Sequence, residues 1–294
     1  MRFERLALVG CGLMGGSFAL ALRRAGLVNQ VVSCGPDTAA LDKALRLNVI
    51  DAVAPSAAQA AQGADLVVLA VPVAATEGVL AAVAPVLDAD ALLMDVGSTK
   101  RDAVAAARRV LGERLSRFVP AHPIAGKETA GVAHADAALY VNRHAILTPL
   151  PENPAELVQR ATALWEALGA RVRCMDPQAH DAAFAAVSHL PHLLAYAYFE
   201  GVARQDGDGD FLALAGPGFR DFTRIAASDP VMWRDILLAN RDEVLDQLQH
   251  FRQALDGFEQ QLRAGDAATL EDHIRQVAQA RARWHLGAPP SQSR

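Results

Sequence analysis

Residues 6–15 read Leu6-Ala7-Leu8-Val9-Gly10-Cys11-Gly12-Leu13-Met14-Gly15, and an alanine-rich stretch follows them as far as Gly26. The four apolar residues predict a short buried strand, and the alanines predict a helix. Between the two, glycines occupy the first, third and sixth positions of a turn, a spacing that lets the backbone amides of the helix start approach a pyrophosphate. We therefore predict that the residues of this turn bind a dinucleotide: Gly10, Cys11, Gly12, Leu13, Met14 and Gly15.

The second strand of such a unit normally ends in an acidic residue that hydrogen-bonds the ribose hydroxyls of NAD. Here the strand Val31–Cys34 is followed by Gly35 at the expected position, and an acid, Asp37, comes two residues later. Asp37 can still reach the ribose. The missing charge would instead admit the 2′-phosphate of NADP, although no arginine adjoins to bind it. The sequence leaves NAD and NADP open, with NAD preferred, and makes Gly35 and Asp37 candidates for cofactor contact.

Short β-like runs alternate with alanine-rich helical stretches from residue 5 to about 175, which is the order of a parallel sheet covered by helices. The predicted strands are Leu6–Gly10, Val31–Cys34, Leu66–Val71, Ala91–Val96, Arg117–Ala121, His144–Leu147 and Ala170–Met175. Ligands of open α/β sheets bind at the carboxyl ends of the strands. Three strand-end segments therefore join the glycine turn as candidates: Val71 with Pro72, Gly97 with Ser98, and His122 with Pro123.

Beyond Asp176-Pro177, helical periodicity replaces the strand pattern. We therefore predict a Rossmann-type α/β domain over residues 1–175 and an all-α domain over residues 176–287. The last residues, 288–294, contain two prolines and small polar residues, and we expect them to form a disordered tail.

One long helix of the second domain is expected to begin after Ser228-Asp229, with Pro230 at its first position. It carries an apolar seam whose members are spaced by fours and threes: Val244, Leu248, Phe251, Leu255, Phe258 and Leu262. Such a seam packs against another helix of the same chain or against a second subunit. A homodimer is the preferred interpretation.

Composition narrows the range of functions. The 294 residues carry a formal net charge of −5, which gives no indication of a nucleic-acid partner. Three widely spaced cysteines, Cys11, Cys34 and Cys174, argue against a disulfide framework or a thiolate site, and we expect no metal. No apolar run reaches the ~18–20 residues of a membrane span, and the first strand begins without an export segment. We expect a cytoplasmic protein with no membrane contact.

Two strand-end segments supply candidates for proton transfer. His122 lies in Pro120-Ala121-His122-Pro123, just past the fifth predicted strand. A dehydrogenase acting on a hydroxyl needs a base beside the carbon that loses hydride, and a neutral histidine suits that task near pH 7. Of Ser98 and Thr99, one is expected to cap the next helix, while the other faces the crevice and could orient a base.

The start of the helical region carries further polar candidates. His189 and His192 lie three residues apart, a spacing that also suits a metal, but no carboxylate or cysteine nearby completes the ligands. We therefore interpret the two histidines as a wall of the crevice. Arg220 and Arg224 lie among aromatic residues. Because a guanidinium binds a carboxylate through two parallel hydrogen bonds, we expect a partly buried arginine that receives one.

Five motifs together resemble the prephenate/arogenate dehydrogenase family of tyrosine biosynthesis, and the helical region resembles that family's dimerisation domain. The motifs are the glycine turn, Gly97–Lys100, His122–Gly126, Ser188–His192 and Phe219–Arg224. The resemblance implies oxidative decarboxylation, in which hydride leaves C4 of a cyclohexadienol ring for NAD or NADP and the ring carboxylate departs as carbon dioxide. Whether the side chain of the substrate is pyruvyl, as in prephenate, or alanyl, as in arogenate, stays open.

The resemblance also implies roles for individual side chains. His122 matches the residue that accepts the hydrogen bond of the C4 hydroxyl. Ser98 matches the serine that orients this histidine and the nicotinamide. Arg224 matches the arginine that binds the substrate carboxylate, and His192 and His189 would line the pocket. The remaining matches are gating and pocket residues: Glu128, Asp221 and Trp233.

Two other functions fit part of the pattern. A β-hydroxyacid dehydrogenase also joins a dinucleotide domain to a helical one, but that family relies on a lysine in the helical domain, and this chain has no lysine after Lys127. A non-catalytic dinucleotide sensor needs only the glycine turn and gives His122 and Arg224 no role. Both stay open as alternatives.

Overall fold

The computed structural model of the chain describes residues 1–127, 129–205 and 211–285, so the predicted tail over 288–294 lies outside the described residues. Its strands are β1 (Phe3–Val9), β2 (Val28–Cys34), β3 (Ala52–Val53), β4 (Leu66–Leu69), β5 (Leu92–Asp95), β6 (Ala121–Pro123), β7 (His144–Leu147) and β8 (Arg171–Cys174). Its α-helices are α1 (Leu13–Arg24), α2 (Thr38–Arg46), α3 (Ala57–Ala61), α4 (Thr76–Val83), α5 (Arg101–Val110), α6 (Ala155–Ala167), α7 (Pro177–Phe184), α8 (Leu190–Ala203), α9 (Pro217–Thr223), α10 (Pro230–Ala239), α11 (Arg241–Ala264) and α12 (Ala267–Arg283).

Five strands form the predicted parallel sheet, in the order β3-β2-β1-β4-β5. In β1, Leu6 and Leu8 belong to one cluster of buried side chains, whereas Ala7 and Val9 belong to the other. The strands are almost wholly apolar because both faces of the sheet are buried. The strand order reverses between β1 and β4, so the turn after Val9 opens at the point where such sheets bind their ligands.

The second sheet corrects the prediction of one continuous parallel sheet. Strands β6, β7 and β8 form a separate three-stranded sheet in which β6 runs antiparallel to β7. The strand predicted over 117–121 pairs with β5 only through a bridge from Phe118 to Leu93, and regular pairing begins at Ala121. His122 therefore lies within a strand and not just past its end. The short strand β3 was not predicted because two residues carry no periodicity.

By compactness the chain divides after Arg241: residues 1–241 pack as one unit, and residues from Asp242 onward form another. All the regular structure described after Pro177 is helical, in agreement with the sequence prediction. The helices α7 to α10 nevertheless belong to the first unit, and the Asp181 side chain of α7 hydrogen-bonds to the backbone at the start of α5.

The prediction of one long helix starting at Pro230 is wrong in one respect, because two helices, α10 and α11, occupy this stretch. Asp229 caps α10 by accepting the Met232 N–H at 2.7 Å, and Pro230 follows at the first position as expected. The break falls at Asn240, whose buried side-chain amide donates to the carbonyl oxygen of Asp181 at 2.8 Å. This tertiary contact fixes Asn240 outside helical geometry.

The predicted apolar seam lies on α11. Three of its members remain exposed in the single chain: Phe251 (37 %), Leu255 (53 %) and Leu262 (65 %). Large apolar side chains left exposed along one helix are typical of a surface that binds another protein. None of the described helices is long and apolar enough to cross a membrane.

Candidate active site

The glycine turn presents backbone to the space beyond β1. Gly10 has a φ of +93°, and a Cβ at this residue would lie 2.3 Å from the Ala70 carbonyl oxygen. A Cβ on Gly15 would lie 2.2 Å from the Gly10 carbonyl oxygen, so a side chain there would push α1 away from β1. Gly12, the N-cap of α1, has open space where its Cβ would be. The glycines therefore bring the free amides of the helix start to a site that fits an anion.

The other residues of the turn anchor it to the core. Cys11 is buried, and burial raises the pKa of its thiol to about 11, so the thiol stays protonated. Leu13 and Met14 pack against the main core, and the Met14 carbonyl accepts the Tyr140 hydroxyl at 2.7 Å. These side chains pack into the core and hold the turn in place. A bound cofactor would therefore contact the backbone of this part of the turn and not its side chains.

The remaining predicted cofactor residues follow the strands on either side of β1. Gly35 comes directly after β2, and Asp37 caps α2 by accepting the Ala40 N–H on Oδ1 at 3.0 Å. Val71 and Pro72 follow β4, and Val71 lies beside the glycine turn, with its Cγ1 3.3 Å from a Cβ built on Gly10. The fold thus brings the ends of three neighbouring strands together.

A buried ion pair lies at the carboxyl end of β5. Lys100 is fully buried, and its Nζ donates to Oδ2 of Asp95 and, at 2.6 Å, to the Ala121 carbonyl oxygen. Oδ1 of Asp95 accepts the Ala121 N–H at 3.1 Å. These bonds join the ends of β5 and β6 and fix the backbone next to His122. Charge-assisted hydrogen bonds of this kind are stronger than neutral ones.

The prediction that Ser98 or Thr99 caps the next helix is wrong. The first amides of α5 are satisfied by Asp181, whose Oδ1 accepts the Lys100 N–H at 2.8 Å and whose Oδ2 accepts the Arg101 N–H at 2.9 Å. The helix dipole favours a carboxylate at this position. The Thr99 hydroxyl is buried and has no hydrogen-bond partner within the described part of the chain. Because Asp181 lies about 80 residues after the start of α5, the sequence next to α5 does not indicate that it caps this helix.

His122 lies at the end of a chain of three polar side chains. Its Nδ1 lies 2.9 Å from Nε2 of His180, and Nδ1 of His180 lies 2.7 Å from Oδ1 of Asp181. The Phe184 ring packs against both histidines, with centroids 4.8 Å from His122 and 4.5 Å from His180. The contact predicted from Ser98 to His122 stays a prediction.

His180 and Asp181 are functional candidates that sequence reasoning missed, and so are the buried partners Asp95 and Lys100. Asp95 at the end of a buried strand was the available signal, because a carboxylate there must find a partner. His180 and Asp181 resemble an ordinary polar stretch near the start of a helix, and only the fold brings them to His122.

The surroundings of His122 and His180 favour the neutral form of both rings. Burial lowers the pKa of His122 well below its ordinary value of 6.5, and the nearby His180 and Lys100 lower it further. Burial also lowers the pKa of His180, although the hydrogen bond to Asp181 opposes that effect. A neutral histidine keeps a lone pair on one ring nitrogen, which a general base requires.

His189 lies in a π-helical turn, Ala185–His189, between α7 and α8; such turns are frequent at functional sites. The Asn240 amide nitrogen donates both to the Asp181 carbonyl and to Nδ1 of His189, at 3.0 Å. Since a carbonyl only accepts, this orientation of the amide places the proton of His189 on Nε2. That Nε2 is buried without a hydrogen-bond partner among the described residues, and burial lowers the pKa of His189 to about 4.

The structure brings three of the predicted substrate residues together. His192 stacks on the buried Trp233, with ring centroids 3.4 Å apart. Nδ1 of His192 donates to the Ser188 carbonyl at 2.8 Å, which leaves Nε2 as an acceptor. Burial lowers the pKa of His192, and the nearby charge of Arg224 lowers it further. Arg224 therefore lies within electrostatic reach of the stacked pair.

Arg224 is exposed, contrary to the expectation of a partly buried guanidinium. The aromatic residues expected to cover it pack elsewhere: Phe219 and Phe222 contact Tyr198, with ring centroids 5.6 Å and 5.2 Å away. Asp221 is also exposed and pairs with Arg220 at 3.1 Å. Glu128 lies outside the described residues.

Within the described part of the chain, no group of three or more His, Cys, Asp or Glu side chains is arranged to hold a metal ion. The polar side chains behind His122 are instead hydrogen-bonded to one another or to nearby backbone: His180, Asp181, Lys100 and Asp95. The arrangement offers an anion site on backbone amides, a neutral histidine and, beyond it, an arginine near a stacked histidine.

Known proteins match both parts of this arrangement. The family model described as prephenate dehydrogenase, nucleotide-binding domain, matches residues 18–174, and the model described as prephenate dehydrogenase, dimerization domain, matches residues 176–276. The chain is 34 % identical over 281 residues to the cyclohexadienyl dehydrogenase of Zymomonas mobilis, which covers 95 % of each chain. It is 34 % identical over 269 residues to the prephenate dehydrogenase of Bacillus subtilis, covering 91 % of this chain and 72 % of that one.

A solved structure agrees with the sequence matches. The crystal structure of prephenate dehydrogenase from Aquifex aeolicus in complex with hydroxyphenyl propionate and NAD+ has a TM-score of 0.91 and 33 % identity to this chain. The match covers 96 % of this chain and 98 % of that one. This chain therefore belongs to the prephenate dehydrogenase family, with a nucleotide-binding domain followed by a helical dimerization domain.

Proposed function

We propose that the chain catalyses the oxidative decarboxylation of prephenate to 4-hydroxyphenylpyruvate, with NAD+ as the hydride acceptor. The observation that carries the proposal is His122, a neutral and partly exposed histidine whose Nδ1 is already bonded to His180. The names of the relatives and the NAD+ and hydroxyphenyl propionate of the Aquifex complex support it. Arogenate, with an alanyl side chain, is the second candidate substrate.

The reaction needs a base beside the carbon that loses hydride. The hydroxyl on C4 of the ring gives its proton to Nε2 of His122 while the electron pair of the C4–H bond departs as hydride. The bond to the ring carboxylate then breaks, carbon dioxide leaves, and the electron pair of that bond completes the aromatic ring. The oxygen on C4 takes the proton back and becomes the phenol. When bound, the oxidised nicotinamide supplies the acceptor for the hydride.

We assign Ser98, which follows β5, to orient His122 and the nicotinamide. Arg224 is proposed to bind the side-chain carboxylate of the substrate, because a guanidinium offers paired donors in one plane. His192 and Trp233 form the neighbouring wall, with Nε2 of His192 available as an acceptor. The remaining proposed pocket residues are His189, Asp221 and Glu128.

The residues at the start of α1 fit a dinucleotide, because Gly12 leaves open space beside free amides while Gly10 and Gly15 keep the backbone close to the sheet. We favour NAD over NADP. Asp37 lies two residues past Gly35, and its negative charge would repel a 2′-phosphate. Oδ1 of Asp37 accepts the N–H that caps α2. We propose that Oδ2 accepts a hydrogen bond from a ribose hydroxyl.

We further propose a homodimer formed through the helical region, with residues 1–175 and 176–287 as the functional domains. The exposed seam of α11 and the description of the matched family model support this arrangement. The free cysteines Cys11 and Cys34 are buried as thiols, as expected for an enzyme of the reducing cytoplasm, where we place it. A mass by light scattering tests the dimer, and a monomeric mass would contradict it.

The assay that tests the function combines three substrates, prephenate, arogenate and a β-hydroxyacid, with two cofactors, NAD+ and NADP+. We expect the highest kcat/KM for prephenate with NAD+. A chain that reduces NAD+ only with a β-hydroxyacid would be a dehydrogenase of that other class. A chain that binds NAD+ and oxidises none of these compounds would be a sensor, and either result would refute the proposal.

A further inference from the structure

Behind His122, buried polar side chains form a continuous hydrogen-bonded chain that reaches the start of α5. We propose that Asp181 and His180 are positioning residues that hold the proton of His122 on Nδ1 and so present its Nε2 as the base. The identity of the reaction rests on the proposed function, whereas the proton position on the His122 ring follows from this hydrogen-bond geometry and from the neutral state of the buried His180.

The first step concerns Asp181. Its Oδ1 accepts the Lys100 N–H at 2.8 Å, and its Oδ2 accepts the Arg101 N–H at 2.9 Å. Backbone amides only donate, so both carboxylate oxygens act as acceptors. The third contact, 2.7 Å from Oδ1 to Nδ1 of His180, must then be donated by the ring. His180 therefore carries its proton on Nδ1.

The second step passes from His180 to His122. Burial favours the neutral ring by lowering the pKa of His180, and a neutral ring protonated on Nδ1 has a lone pair on Nε2. That Nε2 lies 2.9 Å from Nδ1 of His122, so the His122 ring must donate. Neutral His122 is then protonated on Nδ1, and its lone pair is on Nε2.

This arrangement matters because neutral imidazole can carry its proton on either nitrogen, and the partner of one nitrogen decides the state of the other. Without His180, part of the His122 population would carry the proton on Nε2 and could not accept a hydroxyl proton there. After proton transfer, His122 becomes a cation. Its Nδ1–H then points through His180 towards the Asp181 carboxylate, which stabilises the positive charge. The Phe184 ring packs against both histidines and restricts their rotation.

The direct test is nitrogen NMR of the purified chain labelled with 15N-histidine, with the His122 signals assigned by their loss in His122→Asn. In the wild type we expect a protonated Nδ1 and an unprotonated Nε2 on His122 near neutral pH. A protonated Nε2 would overturn the proposal. This measurement uses no substrate, so its result is independent of whether the chain oxidises prephenate.

Two variants extend the test to turnover. His180→Phe keeps a ring of similar size but removes both nitrogens, and we expect kcat to fall by about 10²-fold while KM and NAD+ affinity change little. We also expect Nε2 of His122 to become partly protonated in this variant. His180→Gln places an amide oxygen where it can accept from Nδ1 of His122, and we expect it to recover the wild-type proton position and part of kcat.

His250→Phe is the matched control, because His250 is exposed on α11. It should leave kcat and the His122 signals unchanged. An unaltered His122 proton position or an unaltered kcat in His180→Phe would overturn the proposal. If His180→Phe fails to fold, the nitrogen NMR spectra of the wild type and of His180→Gln still test the proposal. A protonated Nε2 on His122 in either spectrum contradicts the proposed role of His180.

Discussion

Oδ1 of Asp181 accepts the backbone N–H of Lys100 at 2.8 Å, although the two residues lie 81 positions apart in the chain. The contact holds α7 against the loop that follows β5. Because His180 precedes Asp181, the same contact brings its ring to His122. A helix cap thus also assembles the candidate site, by joining the strand-end residues to the helical part of the chain.

The buried pair of Lys100 and Asp95 gives a prediction about stability. Lys100→Met should lower the free energy of unfolding by about 3–5 kcal/mol, because it leaves the Asp95 carboxylate buried without its counter-charge. Lys100→Met with Asp95→Asn should be more stable than the single variant, since no isolated charge remains. Urea denaturation at neutral pH measures both.

The control for this prediction is the exposed pair of Arg109 and Glu77, whose atoms lie 2.8 Å apart. Arg109→Met should leave the free energy of unfolding nearly unchanged because water screens that pair. Equal losses from the buried and the exposed pair would show that Lys100 has no special role in joining β5 to β6.

Arg224 gives a prediction about substrate binding. We expect Arg224→Ala to raise KM for prephenate by about 10–100-fold and to lower kcat much less, because it removes a charge-assisted contact present before the reaction begins. Arg263→Ala, which removes an exposed arginine of α11, serves as the control. An unchanged KM in Arg224→Ala would remove Arg224 from the substrate site.

His189 gives a prediction about pH. Its pKa is lowered by burial from 6.5 to about 4, so the unfolded chain binds a proton more readily than the folded chain between these values. The stability that neutral His189 contributes is therefore fully present above the pKa of His189 in the unfolded chain. It is lost as the pH falls towards the pKa of His189 in the folded chain. Between about pH 7 and about pH 5 we expect a loss of about 2 kcal/mol from His189 alone.

Denaturant unfolding of wild type and His189→Gln at both pH values measures that loss, and the variant should lose less stability than the wild type. His250→Gln, at an exposed histidine, should show the wild-type pH dependence. If His189→Gln and the wild type lose the same free energy on acidification, His189 is not held neutral by the fold.

Asp37 gives a prediction about the cofactor. Asp37→Asn should keep α2 capped, because asparagine caps helices as well as aspartate does. It should lower the preference for NAD+ over NADP+, measured as the ratio of kcat/KM values, because the variant loses the charge that repels a 2′-phosphate. Asp266→Asn, which changes the cap of α12 in the same way, is the control. A preference that survives Asp37→Asn would assign cofactor choice to other residues.

Local sequence patterns were sufficient for the glycine turn and for four of the five strands of the parallel sheet, but not for the separate sheet of β6, β7 and β8. The spacing of Gly10, Gly12 and Gly15 after an apolar run reflects contacts within a few residues, so the strand, turn and helix could be predicted together. His122 was singled out from the residues around it, although the structure places it inside β6 and not just past the end of a strand.

Contacts between distant residues could not be predicted in this way. The cap of α5 comes from Asp181, so the local candidates Ser98 and Thr99 were chosen wrongly. The break at Asn240 results from a tertiary hydrogen bond and not from a helix-breaking residue. Neighbouring aromatic residues led us to expect that the Arg224 side chain is partly buried. Phe222 instead packs on Tyr198, and Arg224 is exposed.

The account depends most on His122 as the base for the oxidation of prephenate. The most direct measurement is kcat of His122→Asn with prephenate and NAD+, beside NAD+ binding by the same variant and kcat of the control His250→Asn. We predict that His122→Asn binds NAD+ as the wild type does and loses about 10²–10⁴-fold in kcat, with the control unaffected. A kcat of His122→Asn close to that of the wild type would contradict the account.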